Sequence, residues 1–546
     1  MRFVNHVAMP VRARGCAVPP VLWTIAAACR QCYVASVNKS TLKLETLAAV
    51  DLGSNSFHLQ IGRVVDDQIY LLDSLREPVR LGGGFTRDGR IDRPTQVRAL
   101  EALERFGERL RGFSRSAVRA VGTNALRIAK NADAFLADAR QALGFPVEVV
   151  FGREEARLIY LGVSHSLPPS SDRRLVFDIG GGSTEFIVGT GYEPEIMESL
   201  SMGSVSWSQR YFPGGRMDKG DFKKAEVAAA NELQRIVEAY RKSDWKEAVA
   251  SSGTAKAIAT LLETFGWAER GITPDGLERL RSHLIKAGDA AKLKLPGLRD
   301  DRLAILPGGL AVMSAVLSAL DIHELQISQG ALRQGVLYDL LGRVSHHDMR
   351  EATVRQFMRR YHVDAAQADR VERLATRICA QLAGDPAESD LQLLRFACYL
   401  HEIGISIAHA GYHKHTAYIL SQADMPGFSR DEQERLARLA LSHRGRLSKL
   451  DGLSARSEDW TLVLALRLAV LIYQSRRDFA PPPLACKASD TGYSLSLPRS
   501  WLDDHPLSEA ALDAEAEEWR GLGMRFDIRG VGEERAQALG LPAGTA

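Results

Sequence analysis

Two aspartates in this chain stand at the same place in the same short pattern. Val50-Asp51-Leu52-Gly53-Ser54-Asn55-Ser56-Phe57 and Phe177-Asp178-Ile179-Gly180-Gly181-Gly182-Ser183-Thr184-Glu185-Phe186 each run from an apolar stretch through Asp into a turn of small residues, then re-enter an apolar strand. A turn without bulky side chains lets backbone N–H groups point inward and cradle phosphate oxygens. An Asp at the strand end beside such a cradle can orient a divalent cation or its waters. Two such turns facing each other would form a phosphate clamp, with Gly53, Ser54, Asn55, Ser56, Gly180, Gly181, Gly182 and Ser183 as its phosphate-binding residues. Neither turn is a Walker A loop, since no Gly-Lys-Ser/Thr closes it. Neither is a dinucleotide fingerprint, since a strand rather than a helix follows the glycines.

Strands and helices must hold these turns in place. Leu47 to Val50 and Phe57 to Val65 flank the first turn as strands, and Ile69 to Ser74 is a third. Pro94 to Phe113 is expected as a helix, with Val97, Leu100, Leu103, Phe106 and Leu110 at helical spacing. Val118 to Val121 and Pro146 to Val150 return to the sheet around a helix at Ala132 to Leu143, and another helix opens near Gly152. The pattern restarts at Leu175 around the second turn, with strands at Phe186 to Val188, near Glu195 to Ser199 and at Ala248 to Ser251. Both turns head strand–turn–strand units, so a duplicated α/β pair with its ligand between the halves is the natural inference. Beyond Gly342 the texture turns helical: Ser345 to Tyr361, Ala365 to Leu382, Leu391 to Leu400, Asp431 to Ser442 and Trp460 to Gln474. Pro481-Pro482-Pro483 marks a boundary. After it, Leu484 to Lys487 and Tyr493 to Leu497 pair across Asp490-Thr491-Gly492, followed by a helix at Ser508 to Trp519 and a strand at Met524 to Ile528. The expected divisions are a leader at 1–45, α/β units at 46–160 and 161–343, a helical unit at 344–476 and a small α/β unit at 477–546.

Composition is that of a globular enzyme: 546 residues, 45% hydrophobic and 25% charged, too long for one core. The net charge of +3 hides an asymmetry. The first 45 residues carry Arg2, Arg12, Arg14, Arg30, Lys39 and Lys43 against Glu45, a local balance of about +5, which leaves about −2 for the rest. A polyanion would therefore need a local basic groove. Six cysteines are too sparse for a disulfide scaffold, and the Cys29/Cys32 pair has no second pair at zinc-site spacing, which fits a reducing cytoplasm. Val21 to Ala28 mimics the apolar part of a signal peptide but falls short of the ~20 residues a membrane span needs. A disordered extension or an early start codon is the favoured account of the leader, and peripheral attachment to the inner membrane stays open. The run Leu462 to Tyr473, despite Arg467, is expected as a buried helix.

The paired turns are similar to the phosphate loops of the actin, sugar kinase and Hsp70 fold. More specifically, the chain resembles the exopolyphosphatase and guanosine pentaphosphate phosphohydrolase (Ppx/GppA) family from about Leu47 to its C-terminus. The matching stretches are Ala48 to His58, Gly122-Thr-Asn-Ala-Leu-Arg127, Gly152-Arg-Glu-Glu-Ala-Arg-Leu-Ile-Tyr160, Asp178 to Glu185, Ser252-Gly-Thr254 and Gly330-Ala-Leu-Arg-Gln-Gly-Val336. The resemblance implies removal of the terminal phosphate of a phosphate chain by water, which needs a group to aim the water and cations to offset charge. It implies Glu155 as the base, Glu185 as a second catalytic carboxylate, Arg127 as a phosphate-facing arginine, and Mg²⁺ held by Asp178 and Asp51. Glu154, with Arg157 three residues on, is expected as a solvated ion pair.

The helical region carries His401-Glu402, His409, His413, His415 and His443, a layout similar to HD-type phosphohydrolase domains. Glu402 replaces the Asp of that pattern, no leading His precedes Asp369, and H-E-x-x-H is absent. A degenerate metal site kept for scaffolding or chain binding is expected, with Arg359, Arg360, Lys414 and Arg444 lining a channel. The resulting expectation is a Mg²⁺-dependent cytoplasmic exopolyphosphatase acting on inorganic polyphosphate, a homodimer with no nucleic-acid partner. The nearest rival is a guanosine pentaphosphate (pppGpp) 5′-phosphohydrolase. More distant are an ATP-dependent kinase, holding adenosine at Ser252-Gly253-Thr254 and Pro307-Gly308-Gly309, and a non-catalytic polyphosphate sensor.

Overall fold

The apolar runs on either side of the first turn become an antiparallel pair. In the computed structural model, which describes residues 45–65, 68–168, 170–289, 293, 295, 298–344, 348–450, 459–489 and 492–532, Thr46–Leu52 (β1) pairs with Phe57–Val65 (β2). Gln68–Glu77 (β3) adds to the far side of β2, with a bulge at Ile61/Gly62. Val118–Gly122 (β4) and Val147–Val149 (β5) lie parallel to β1, giving the order β3-β2-β1-β4-β5. The leader, with its Cys29/Cys32 pair, and the turn residues Asp490 and Thr491 lie outside the described residues.

The second sheet repeats the first. Arg173–Ile179 (β6) pairs antiparallel with Thr184–Thr190 (β7), which pairs with Glu193–Leu200 (β8). Glu247–Ser251 (β9) and the short Gln326–Ile327 (β10) lie parallel on the other side of β6. The order β8-β7-β6-β9-β10 is that of the first sheet strand for strand. Parallel strands need crossovers, and helices supply them. Asn124–Ile128 and Ala132–Leu143 follow β4, while Ser252–Thr264, Pro274–Ala287 and Leu306–Leu320 separate β9 from β10. The fold is thus a duplicated actin-like α/β pair followed by further helices and a small sheet.

The helix Arg93–Arg109 corrects one expected face. Its buried residues are Thr95, Ala99, Ala102, Leu103 and Phe106, whereas Val97 points to solvent at 40% exposure. Positions 95, 99, 102 and 106 share the stripe of a 3.6-residue repeat, and 97 lies away from it. The helix Gly152–Ser166 runs unbroken across the expected division at 160/161. It packs on Leu332–Val344 through glycines: a Cβ on Gly162 would sit 2.1 Å from Ala331 O, and one on Gly335 only 1.7 Å from Leu158 O. Backbones this close hold the two helices in one fixed relation.

Downstream lie helices Met349–Arg360, Ala365–Ala383, Glu388–Leu400, Tyr412–Gln422, Arg430–Ser442 and Asp459–Ile472. Ala485–Ser489 (β11), Gly492–Pro498 (β12) and Arg525–Val531 (β13) form the last sheet, with Arg499–Asp504 and Pro506–Gly521 between its second and third strands. One continuous apolar cluster runs from Val354 through Trp460 to Trp519 and Phe526, so these helices and this sheet share a core. Arg467, in the apolar Asp459–Ile472 helix, is buried because Glu515 forks onto it at 2.5 and 2.6 Å and the Ser442 and Gly445 carbonyls accept from it. Cys379, Cys398 and Cys486 are buried free thiols. Among the described residues no helix is long and apolar enough to cross a membrane.

Gly335→Ala should therefore be among the most damaging small substitutions. A methyl group aimed at a backbone carbonyl has nowhere to go, and overpacking of this kind costs about 1–3 kcal/mol or more. A fall of that size in urea-unfolding free energy, with a smaller fall for Ala at the open Gly112 site, is the expected result.

Candidate active site

Both turns close in the same way. Gly53 and Gly180 pass so near the carbonyl three residues on that a Cβ would sit 3.0 Å from Ser56 O and 3.1 Å from Ser183 O. After each glycine, the backbone is tied down from behind. The carbonyls of Ser54 and Asn55 accept from Gly82 and Arg80 N–H at 2.7 and 2.8 Å, and those of Gly180 and Gly181 from Ser204 and Val205 N–H at 2.9 Å each. A trans peptide points its N–H opposite to its C=O. The N–H groups of Asn55, Ser56, Gly181 and Gly182 are thereby turned the other way, and all four residues line one cavity of about 260 Å³.

The two turns meet across that cavity. A Cβ on Gly181 would lie 2.8 Å from Ser54 Cβ, and one on Gly182 2.2 Å from Asn124 Oδ1. The start of Ser252–Thr264 and the start of Leu332–Val344 also reach the wall, through Ser252, Gly253, Leu332 and Arg333. Helix N-termini carry partial positive charge, which suits an anion. Ser252 holds φ at +90° to make that entry, a conformation side chains seldom adopt and one often found at functional sites.

Asp51 and Asp178 occupy matching places, at the ends of β1 and β6, and both line the cavity. Burial pushes Asp51 up to about 7, aided by Glu155 and Asp178 and opposed by Arg333. Burial likewise pushes Asp178 up to about 6, opposed by a hydrogen bond with Ser251. Asp51 Oδ1 is buried without a hydrogen-bond partner, while Oδ2 lies 3.8 Å from Arg333 and 3.7 Å from His58. The cross-strand partners match as well: Asp51 faces His58, and Asp178 faces Glu185. Burial, then Arg333 and Arg76, push His58 down to about 2, so it is neutral.

Glu155 sits in the first turn of Gly152–Ser166 and reaches the cavity. Its Oε2 accepts from Arg127 Nη1 at 2.6 Å, and the same nitrogen donates to Val150 O at 2.9 Å. Arg127 thus faces Glu155 and does not line the cavity. Glu185 lies behind the wall, 1% exposed, accepting from Ser199 Oγ at 2.9 Å. Burial raises its carboxyl well above the usual range, with Glu155 adding to the effect. The His, Lys and Arg residues that line the cavity all escaped the sequence reading: His58, Arg76, Lys256, Arg302 and Arg333. His58 and Arg333 lay inside quoted stretches, and Lys256 follows Ser252-Gly253-Thr254 by two positions; Arg302 carried no signal. Arg76, Lys256, Arg302 and Arg333 supply the basic groove that the overall charge lacked.

Other expectations need correction. Glu154 does pair with Arg157, yet both are about 4% exposed, so the pair is buried rather than solvated. Pro307, Gly308 and Gly309 are buried in the first turn of their helix, and a Cβ on Gly308 would meet Ser208 N at 2.4 Å. That segment is a helix contact with no room for a nucleoside. His401 and His443 do meet edge to edge, at 5.1 Å, but each binds the backbone carbonyl three residues back. Lys414 and Arg444 gather with Lys449 around His413, while Arg359 and Arg360 end a different helix. Among the described residues no group of three or more His, Cys, Asp or Glu is placed to hold a metal ion.

Comparison with known proteins agrees with this architecture. The Ppx/GppA phosphatase family matches residues 60–344, and domain III of the Ppx/GppA phosphatases matches residues 349–516. An exopolyphosphatase from Cytophaga hutchinsonii is 25% identical, with a TM-score of 0.50 over 55% of this chain and 98% of its own. The PPX-GPPA enzyme of Aquifex aeolicus is 26% identical, with a TM-score of 0.46 over 54% of this chain and 98% of its own.

The raised carboxyls fix a sign. Asp51 and Asp178 titrate at about 7 and 6 when folded, against 3.8 for a free side chain. The folded state keeps protons that the unfolded chain has lost, so their contribution is full below about pH 4 and drains as pH rises through 6 and 7. In metal-free buffer, urea midpoints should fall from pH 5 to pH 8, and less steeply for Asp51→Asn. Gly181→Ala, in turn, should pry the turns apart. Calorimetric affinity for pyrophosphate is expected to drop at least about tenfold, the factor of one 1.4 kcal/mol step, with far-UV circular dichroism unchanged.

Proposed function

The chain belongs to the Ppx/GppA phosphatase family, and from that premise we propose that it is an exopolyphosphatase, releasing orthophosphate from the end of inorganic polyphosphate. The observation that carries this reading is the meeting of the two turns at Ser54 and Gly181, with Glu155 on the wall between them. The amides of Asn55, Ser56, Gly181 and Gly182 would bind the terminal phosphate's oxygens. Glu155 would then take a proton from a water aligned with the bond to be broken. Arg127, already bound to Glu155, would keep that carboxylate ionised and oriented. Glu185, held by Ser199 behind the wall, would act on the water site through its charge beside Glu155.

Mg²⁺ fits the residues present. Asp51 offers an unpartnered buried oxygen, Asp178 stands at the matching place, and both carboxyls are raised in a way that a cation would reverse. Asp51 and Asp178 would hold the ion together with phosphate oxygens and water, the usual habit of this ion. When bound it supplies charge neutralisation for the phosphate oxygens. Arg76, Lys256, Arg302 and Arg333 would hold the penultimate phosphates. The cations around His413 would take the chain further on. The alternative substrate is pppGpp, whose 5′ end presents the same terminal phosphate. A kinase is disfavoured, since the Pro307–Gly309 segment is packed shut.

Orthophosphate release from polyphosphate and from pppGpp, measured side by side with Mg²⁺ and after chelation, tests the reading. Faster release from polyphosphate, abolished by chelator, is expected; a reversed preference would transfer the assignment to the nucleotide. Glu155→Gln should cut turnover at least about a hundredfold while leaving polymer binding intact. Near-normal turnover by that variant would exclude Glu155 as the base.

A further inference from the structure

Three consecutive residues at the start of Gly152–Ser166 divide their side chains between two parts of the molecule. Glu155 faces the phosphate cavity. Arg153 and Glu154 instead reach the 424–427 segment, which joins Tyr412–Gln422 to Arg430–Ser442. Arg153 Nη1 meets Asp424 Oδ2 at 2.6 Å, and Glu154 Oε2 accepts from Gly427 N–H at 2.9 Å. The carbonyl of the same Gly427 accepts from Arg343 Nη2 at 2.8 Å.

These bonds close into a ring. Arg343 Nε donates to Asp339 Oδ2 at 3.0 Å, and Arg157 donates to Asp339 Oδ1. Arg157 then forks onto both oxygens of Glu154 at 2.8 Å each. The circuit runs from Glu154 to Gly427, Arg343, Asp339, Arg157 and back to Glu154. Burial works against a charged Asp339, but Arg157, Arg119 and Arg343 outweigh it and hold the carboxyl well below its ordinary value. Gly427 has φ +89°, and a Cβ there would lie 2.9 Å from Arg350 N, so the position accepts little else. A buried ionic ring adds little net stability over apolar packing, yet removing one member strands the others, so its geometry is sharply defined.

We propose that this ring makes the 424–427 segment of the helical region a clamp that sets the position of Glu155, with Glu154, Asp339 and Gly427 as positioning residues. The inference rests on Glu155 being the base. Successive helical residues rise only 1.5 Å, so a shift of Glu154 is passed to its neighbour almost undiminished. Misplacement of a reacting group by about 1 Å can cost on the order of a hundredfold in rate. Glu155 would thus be held from one side by Arg127 in the first sheet unit and from the other, through the backbone, by the helical region.

Gly427→Ala and Glu154→Gln test the clamp, with Asp424→Ala as an exposed variant that leaves the buried ring intact and should fold. Turnover of polyphosphate is expected to fall at least about tenfold for the first two and about threefold for the third, with KM changed less than about twofold. Hydrogen exchange of the 152–158 amides should rise in the same order, a readout that needs no activity. Folded variants with wild-type turnover, or a loss confined to KM, would overturn the clamp. If the wild-type protein released no phosphate from any substrate, the functional reading would fail, and exchange alone would judge the clamp: unchanged protection at 152–158 in Gly427→Ala would overturn it.

Discussion

Everything in the cleft depends on two stretches of backbone coming within side-chain distance of each other. Ser54 and Gly181 can meet because one of them has no Cβ, and Gly203 lies beneath Gly181 for the same reason. Carbonyls tied to neighbouring amides then leave the opposite faces of the same peptide units carrying N–H groups. The site is therefore made of main chain first. Its donors are fixed by the sheets and need no rotamer to be chosen when an anion arrives, which lowers the ordering cost of binding.

The side chains around that frame are in electrostatic tension. Asp51, Asp178 and Glu185 are all raised by burial, and each is raised further by other carboxylates nearby. Arg333 opposes this at Asp51 but also helps to keep His58 neutral. Acids and bases line the same walls: Arg333 lies 3.8 Å from Asp51, and Glu155 is paired with Arg127 beyond the lining. On the proposed reading, the ligand would bring both signs, a polyanion together with a cation.

Much of this was legible in the residues. The repeated Asp-turn-strand pattern foretold the duplicated sheets and the facing turns, because small residues and alternating apolar runs are local signals. The helix Ala132–Leu143 and the start of Gly152–Ser166 were likewise readable from spacing and punctuation. What escaped was set by partners distant in sequence. Glu154 read as a surface acid because its burial depends on Gly427, 273 positions away. Val97 was assigned to a core face because five apolar residues at loosely helical spacing do not define the stripe; the small Ala99 and Ala102 do. Arg302 belongs to the cleft only through tertiary placement, with no motif around it, and Lys256 lies just past the Ser252-Gly253-Thr254 stretch that did not by itself point to it.

The apolar cluster common to the late helices and the final sheet has its own corollary. Trp519 packs edge-on against both Trp460 and Tyr493, so the triple-proline stretch at Pro481–Pro483 joins two halves of one interior. Severing the chain there would bare greasy surface on both fragments. The tail is thus no detachable appendage: truncated forms ending near that stretch would be drawn toward aggregation, and evolution could shed the tail only by resurfacing the bundle it covers.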